Sequence, residues 1–391
     1  MSIYDVSTKI FSNVSPDEII YDLCIYRMGP NRTKKIILDV RQQPLADNYE
    51  TQKHKTENTE DALSVIYMME VMLYSKKMLS TERLFSTPFT WMYTLQEFST
   101  GRSWSSVKRE NPCYFITTGT THPASERSNV KTIKISRPER GFIAKEYSPE
   151  SPLDPFAKKE IEKAIQERFL QQSHPAQGDT SLCGPAAFFY CLQHDRPDVY
   201  AQAARDLWQF GKTKIGELEI IPGDGCRHPS GTFHDENGPR IYGIDWMMLA
   251  GLRDSENVVL SYDSVSSPVA GITMWNTLTL WFEKAGYELI FSNVGATQVG
   301  IEGINKLNEY ARKGYKVVTL INDGLLERGS SALTIPTHWI VWDGAITEDS
   351  RGSIQLQLFS WGNVYEQIKK PADIYFFLNR FFGGMVFKPL K

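Results

Sequence analysis

Apolar positions recur at helical spacing in one part of the chain and at strand spacing in another. Over "TEDALSVIYMMEVMLYSKKML", Thr59–Leu79, an acidic start, few breakers and a basic end suit a helix aligned with its own dipole. Val65, Met68, Met69, Met72 and Leu79 then share one face, read as buried core. "KKIILDV" and "CYFITTG" around it read as short strands, so residues 1–121 are expected to form a small α+β unit without visible chemistry, in a docking or masking role. From residue 122 to 153 the composition turns to Ser, Pro, Arg, Lys and Glu, and periodicity fades outside "VKTIKI". That change predicts a linker or a lightly anchored crossover.

Helical patterning returns at "DPFAKKEIEKAIQERFLQQ", with Asp154 the expected N-cap, Pro155 in the first turn, and Ile161, Ala164, Ile165 and Phe169 on one side. It continues through "CGPAAFFYCL", "DVYAQAARDLWQFG", "IDWMMLAGLRDS" and "TMWNTLTLWFEKAGY". Beyond Gly286 the pattern shifts to "YELIFSNV", one helix "IEGINKLNEYARKG", then "YKVVTLIND", "THWIVWDGAI", "SIQLQLFSWGN" and a last aromatic segment running to "GGMVFKP". Helices first and strands afterwards is an α+β order. Residues 154–391 are expected to form one domain, a helix-rich half followed by an antiparallel sheet.

Candidate chemistry enters at "PAQGDTSLCGPAAFFYCL", Pro175–Leu192. A nucleophilic cysteine must ionise near neutral pH, and a helix N-terminus favours the thiolate through its unpaired N–H groups and its dipole. Cys183 has that place, followed by Gly184 and a first-turn Pro185. Gln177, next to Gly178, lies six residues upstream, where a side-chain amide folded back on its loop serves as an oxyanion donor. Of the seven histidines, His338 begins a clean strand after a Pro-containing loop and is the candidate base. His54, His122, His174 and His194 lie in polar contexts that predict solvated imidazoles. If "THWIVWDG" and "SIQLQLFSWGN" form a hairpin with its midpoint near Asp349, His338 pairs with Ser360 on the same face. Asn363 competes for this orienting role if the register slips, and Asp343 is on the right strand but the opposite face.

A Gln six residues before a Cys-Gly at a helix start, a distant His opening a strand, and a following strand that ends in Ser-Trp-Gly together resemble the papain-like cysteine peptidases. The compact "CGPAA" form is most similar to bacteriocin-leader peptidases and related papain-like domains of bacterial effector toxins. The resemblance covers Asp154 to Lys391 and implies a thiolate at Cys183, a base at His338 and an oxyanion donor at Gln177. It departs from the family pattern at the third member, where Phe359 stands in place of an Asn. It implies a cysteine hydrolase cleaving an amide bond of a protein substrate, with a Gln-side-chain deamidase or amidase on the same site, or a non-catalytic binding protein on a degenerate scaffold, as alternatives.

Further features adjust this picture. "GDGCRHPSGTFHDENG" holds Cys226, His228, His234 and Asp235, but their spacing matches no common zinc pattern, so a polar loop is expected and no metal. There is no P-loop, dinucleotide fingerprint or HExxH, and no cofactor is expected. The aromatic C-terminal third reads mostly as core, with Trp361 and Trp339 the expected site-lining residues. With 43 basic and 46 acidic residues the formal charge is -3, which gives no electrostatic reason for a nucleic-acid partner. Five cysteines, Cys24, Cys113, Cys183, Cys191 and Cys226, are expected to be free thiols. The N-terminal stretch lacks the order of a secretory signal and no apolar run is long enough to span a bilayer. Together with the resemblance to toxin domains and an N-terminal unit without chemistry, this implies a protein made in the cytoplasm and exported without a signal peptide, as an effector whose partners are a secretion-machine component or a cognate inhibitor.

Overall fold

The computed structural model describes residues 2–10, 12, 15–29, 31–76, 80–100, 140–256, 273–331 and 334–391, with the backbone of 115–118 and 132–135. Leu79, Cys113 and His122 lie outside the described residues. The chain is a mixed α+β protein of helices and antiparallel sheets, divided into two compact units, Met1–Glu139 and Arg140–Lys391.

In the first unit the helix expected over Thr59–Leu79 is instead a strand, Ile66–Lys76, at the centre of an antiparallel sheet. It pairs along its length with Ile19–Met28, whose other edge takes Lys34–Pro44. Its own second edge is shared by Phe89–Thr94 and Thr81–Arg83. The physical reason for the error is two-sided burial. Tyr67, Met69, Val71 and Leu73 join Tyr21, Leu23 and Ile25 in the core, while Ile66 and Met68 are buried on the other face. A strand buried on both faces reads as an unbroken apolar run, and flexible methionines do not declare a period. Glu70 sits within that run because Tyr26 donates its hydroxyl to it at 2.6 Å. Among the described residues of this unit the α-helix is the short Leu95–Thr100. "CYFITTG" and "VKTIKI" supply the strands Phe115–Thr118 and Thr132–Ile135, which pair with each other across part of the expected linker.

Residues 140–153 of that expected linker belong to the second unit. Phe142 and Ala144 are buried, and the Ile143 and Lys145 N–H groups donate to the carbonyls of Arg227 and Pro229. Asp154 does not cap the following helix. It accepts from the N–H groups of Phe156 and Glu150 and pairs with Arg140, while the helix runs Lys158–Phe169 from an Ala157 N-cap. Its inner face carries Ile161, Ile165 and Arg168, and Arg168 Nη2 donates to both carboxylate oxygens of the fully buried Asp245, at 2.8 and 3.0 Å.

Around this pair lie Cys183–Asp195, Pro197–Phe210, a helical segment Gly243–Glu256 with a π-turn over Trp246–Ala250, and Trp275–Lys284. The Cys183 helix is buried almost throughout, and Asp195 at its end accepts from Lys316 Nζ at 2.8 Å and from the Leu390 N–H at 3.0 Å. It packs on a six-stranded antiparallel sheet. The strand order is Glu288–Ser292, Phe381–Lys388, Lys316–Ile321, His338–Trp342, Gln357–Ser360 and Asn363–Glu366. Phe359 stacks on Tyr190 of that helix at 4.1 Å and 4°.

Removing one member of the Arg168–Asp245 pair leaves an uncompensated buried charge. Arg168→Met is expected to lower unfolding stability by about 3 kcal/mol in urea titrations, and adding Asp245→Leu to recover much of the loss.

Candidate functional site

Cys183 is the first residue of its helix, with Leu182 at the N-cap and no side chain capping the end. The helix's first N–H groups are therefore available to the sulfur, and the backbone N–H groups of Trp339, Gly184 and Cys183 favour the thiolate. Burial outweighs these donors and pushes the Cys183 thiol up to about 11. Gly184 is required by close approach, since a Cβ there would lie 2.4 Å from Thr273 Oγ1 and 2.6 Å from its Cβ. Thr273 is in turn fixed by Trp339, whose indole N–H donates to its carbonyl at 2.8 Å. The sequence-expected Trp339 thus touches the site through both backbone and ring, and Cys183 is left only 4% exposed.

His338, also 4% exposed, opens its strand. Its Nε2 lies 2.7 Å from Ser360 Oγ. The hairpin register differs by two residues from expectation: Val341 lies opposite Phe359, which puts Ser360 opposite Ile340 and makes the His338–Ser360 bond a diagonal one on the same face. The shift follows from the tip, where Asp349 Oδ1 accepts from the Arg351 and Ser353 N–H groups and moves the turn towards Arg351. Asn363 is exposed and donates to the Trp361 carbonyl, and Asp343 accepts from the Tyr190 hydroxyl, so neither bonds His338. Trp361, held at φ 46°, stacks on the imidazole at 4.6 Å and 18°. Burial lowers His338 to about 4, opposed by the negative charge of Asp323. Strand alternation places Trp339 on the face that packs the Cys183 helix and His338 on the other.

Gln177 is buried, and one of its two amide N–H groups donates to the Thr180 carbonyl at 2.7 Å, which leaves the second. Its loop turns at Gly178, φ 57°, where a Cβ would lie 2.1 Å from the Arg240 carbonyl. The loop also touches the Ser-Trp-Gly turn, because a Cβ on Gly362 would lie 2.7 Å from that of Ala176. The structure thus brings the Gln177 loop, Ser360, Trp361 and His338 into one neighbourhood, with Cys183 at Trp339.

Two other expectations need adjustment. His174 is not solvated: it is half-buried between Tyr190 and Phe359, near Gln193, and burial lowers its pKa. His54 contacts the Tyr21 hydroxyl and His194 the Lys316 ammonium, each partly covered. In the Cys226 loop the thiol is fully buried, and among the described residues no group of three His, Cys, Asp or Glu could hold a metal ion. Asp323 is the charged neighbour that sequence reasoning missed. Its signal was "INDG", a turn motif immediately after a strand, but only the fold sets that turn beside His338.

Because His338 is held neutral in the folded protein, the unfolded chain binds its proton first as pH falls. Its contribution is present above the ordinary pKa of 6.5 and is lost as pH falls through about 4, by about 3 kcal/mol. Denaturant midpoints of His338→Gln and wild type are expected to converge by this amount across that window; parallel curves would mean that the imidazole is not desolvated. Comparison with protein-family models, curated proteins and solved structures finds no match, and the reading of the site rests on its own geometry.

Proposed function

We propose that the second unit is a papain-like cysteine hydrolase acting on an amide bond, with a peptide bond of a protein as the leading substrate and a glutamine side chain as the alternative within the same chemistry. One observation carries the reading: Cys183 opens a buried helix whose Gly184 packs on Thr273, and Thr273 is held by Trp339, the residue next to an imidazole whose Nε2 lies 2.7 Å from Ser360 Oγ beneath Trp361. With thiol and imidazole both neutral, His338 acts as a general base rather than as half of a resting ion pair. Nε2–H donates to Ser360 Oγ and leaves Nδ1 to take the Cys183 proton as sulfur attacks the carbonyl carbon. The Cys183 N–H and the second Gln177 N–H hold the oxyanion. The imidazolium then protonates the leaving nitrogen as the C–N bond breaks, and water hydrolyses the thioester with the proton returned to sulfur.

Three features favour a second reading, a non-catalytic binding scaffold: the thiol is desolvated, the Gln177 amide is engaged by Thr180, and base and thiol lie on opposite strand faces. A peptidyl vinyl sulfone library with mass mapping separates the two. Labelling is expected at Cys183, slowed roughly 100-fold or more in His338→Ala and by about tenfold or more in Gln177→Ala. Absence of label at Cys183 in the natively folded chain would leave the binding scaffold as the reading.

A further inference from the structure

The orienting group of the site, Ser360, carries no charge, so nothing in the His338–Ser360 pair offsets the positive charge that the imidazole acquires when it takes a proton. The chain supplies an anion from the opposite end of the same backbone segment. Asp323 lies in a short 3-10 turn, Asp323–Leu325, that follows the strand Lys316–Ile321, the direct partner of the His338 strand. Its carboxylate Oδ1 accepts from the Thr337 hydroxyl at 2.7 Å, and that hydroxyl accepts from the Asp323 N–H at 2.8 Å. Thr337 also donates its backbone N–H to Ile321, which closes the segment immediately before His338. The second carboxylate oxygen accepts from the Ser330 N–H, and among the described residues no lysine or arginine is ion-paired with Asp323.

We propose that Asp323 is a positioning residue for the base: through Thr337 it fixes the backbone that presents His338, and its carboxylate favours the imidazolium formed as Cys183 gives up its proton. This rests on the reading of Cys183 and His338 given above. The other groups bearing on the pair are Arg328, whose guanidinium lies 5.7 Å from the Trp361 ring that stacks on His338, and Arg253, which bonds Thr273 and favours the thiolate. Both are cations and neither supplies a negative charge, which leaves Asp323 as the anion that acts on His338. Orientation and charge, combined in one residue when a carboxylate holds the imidazole directly, are here divided between Ser360 and Asp323.

The test is the rate at which chloroacetamide alkylates Cys183 at pH 7 in the full chain, read by mass mapping, in wild type, Asp323→Asn, Asp323→Glu and each in a His338→Ala background. Asn keeps the acceptor for Thr337 and removes the charge together with the bond from the Ser330 N–H, a structural loss that the His338→Ala background reads separately. Asp323→Asn is expected to slow alkylation about tenfold with His338 present, to have no effect in His338→Ala, and to be partly reversed in Asp323→Glu. An unchanged rate in Asp323→Asn, or an equal loss in both backgrounds, would reduce Asp323 to a purely structural turn residue. A wild-type rate indifferent to His338→Ala would instead remove the base itself, and the assignment of Asp323 with it.

Discussion

Desolvation of the Cys183 helix is the constraint on which the second unit turns. Its residues are buried almost without exception, wedged between neighbouring helices and one face of the six-stranded sheet. Such a helix has no solvated side, so its polar ends must be satisfied by the fold. The C-terminal end is held by Asp195, through Lys316 and the Leu390 N–H, and the N-terminal end is left to the thiol. The same burial that stabilises the unit also sets its chemistry. Three N–H groups favour the thiolate, yet the loss of water around the sulfur is the larger effect, and Cys183 rests as a thiol.

His338 obeys the same balance with the opposite sign. An imidazole under Trp361 and against Ser360 has lost the water that would solvate its charge, and it rests neutral. With thiol and imidazole both desolvated, a charge placed on either is felt strongly by its neighbours because little water screens it. Thr273, packed against Gly184 and fixed by the Trp339 indole, is part of the structure that keeps water out.

Strand register decides which of Phe359 and Ser360 can reach His338. Strand alternation gives Phe359 to the helix face, where it stacks on Tyr190, and gives Ser360 to the face of His338. An orienting side chain at position 359 would point away from the imidazole in this register. The residue able to reach Nε2 is the next one along, and it is a serine, which orients without contributing charge.

Much of the second unit was legible in the sequence because its signals are local. Helical periodicity and a Gly after "DLWQF" marked Pro197–Phe210, with Gly211 in the left-handed region as its C-cap, and a first-turn proline placed Cys183 at a helix start. The order of helices followed by strands gave the mixed α+β class. The sequence by itself thus determined which residues could be nucleophile, base and donor, through residue type and position within an element. Tertiary structure decided the rest. Two-sided burial turned the methionine-rich run into a central strand, the Asp349 turn shifted the hairpin by two residues, and close packing around Gly178 and Gly362 set the Gln177 loop against the Trp361 turn. It also decided the protonation states of Cys183 and His338 and brought Asp323 to Thr337, because solvation and long-range pairing depend on what surrounds a residue in space, and no spacing along the chain encodes that.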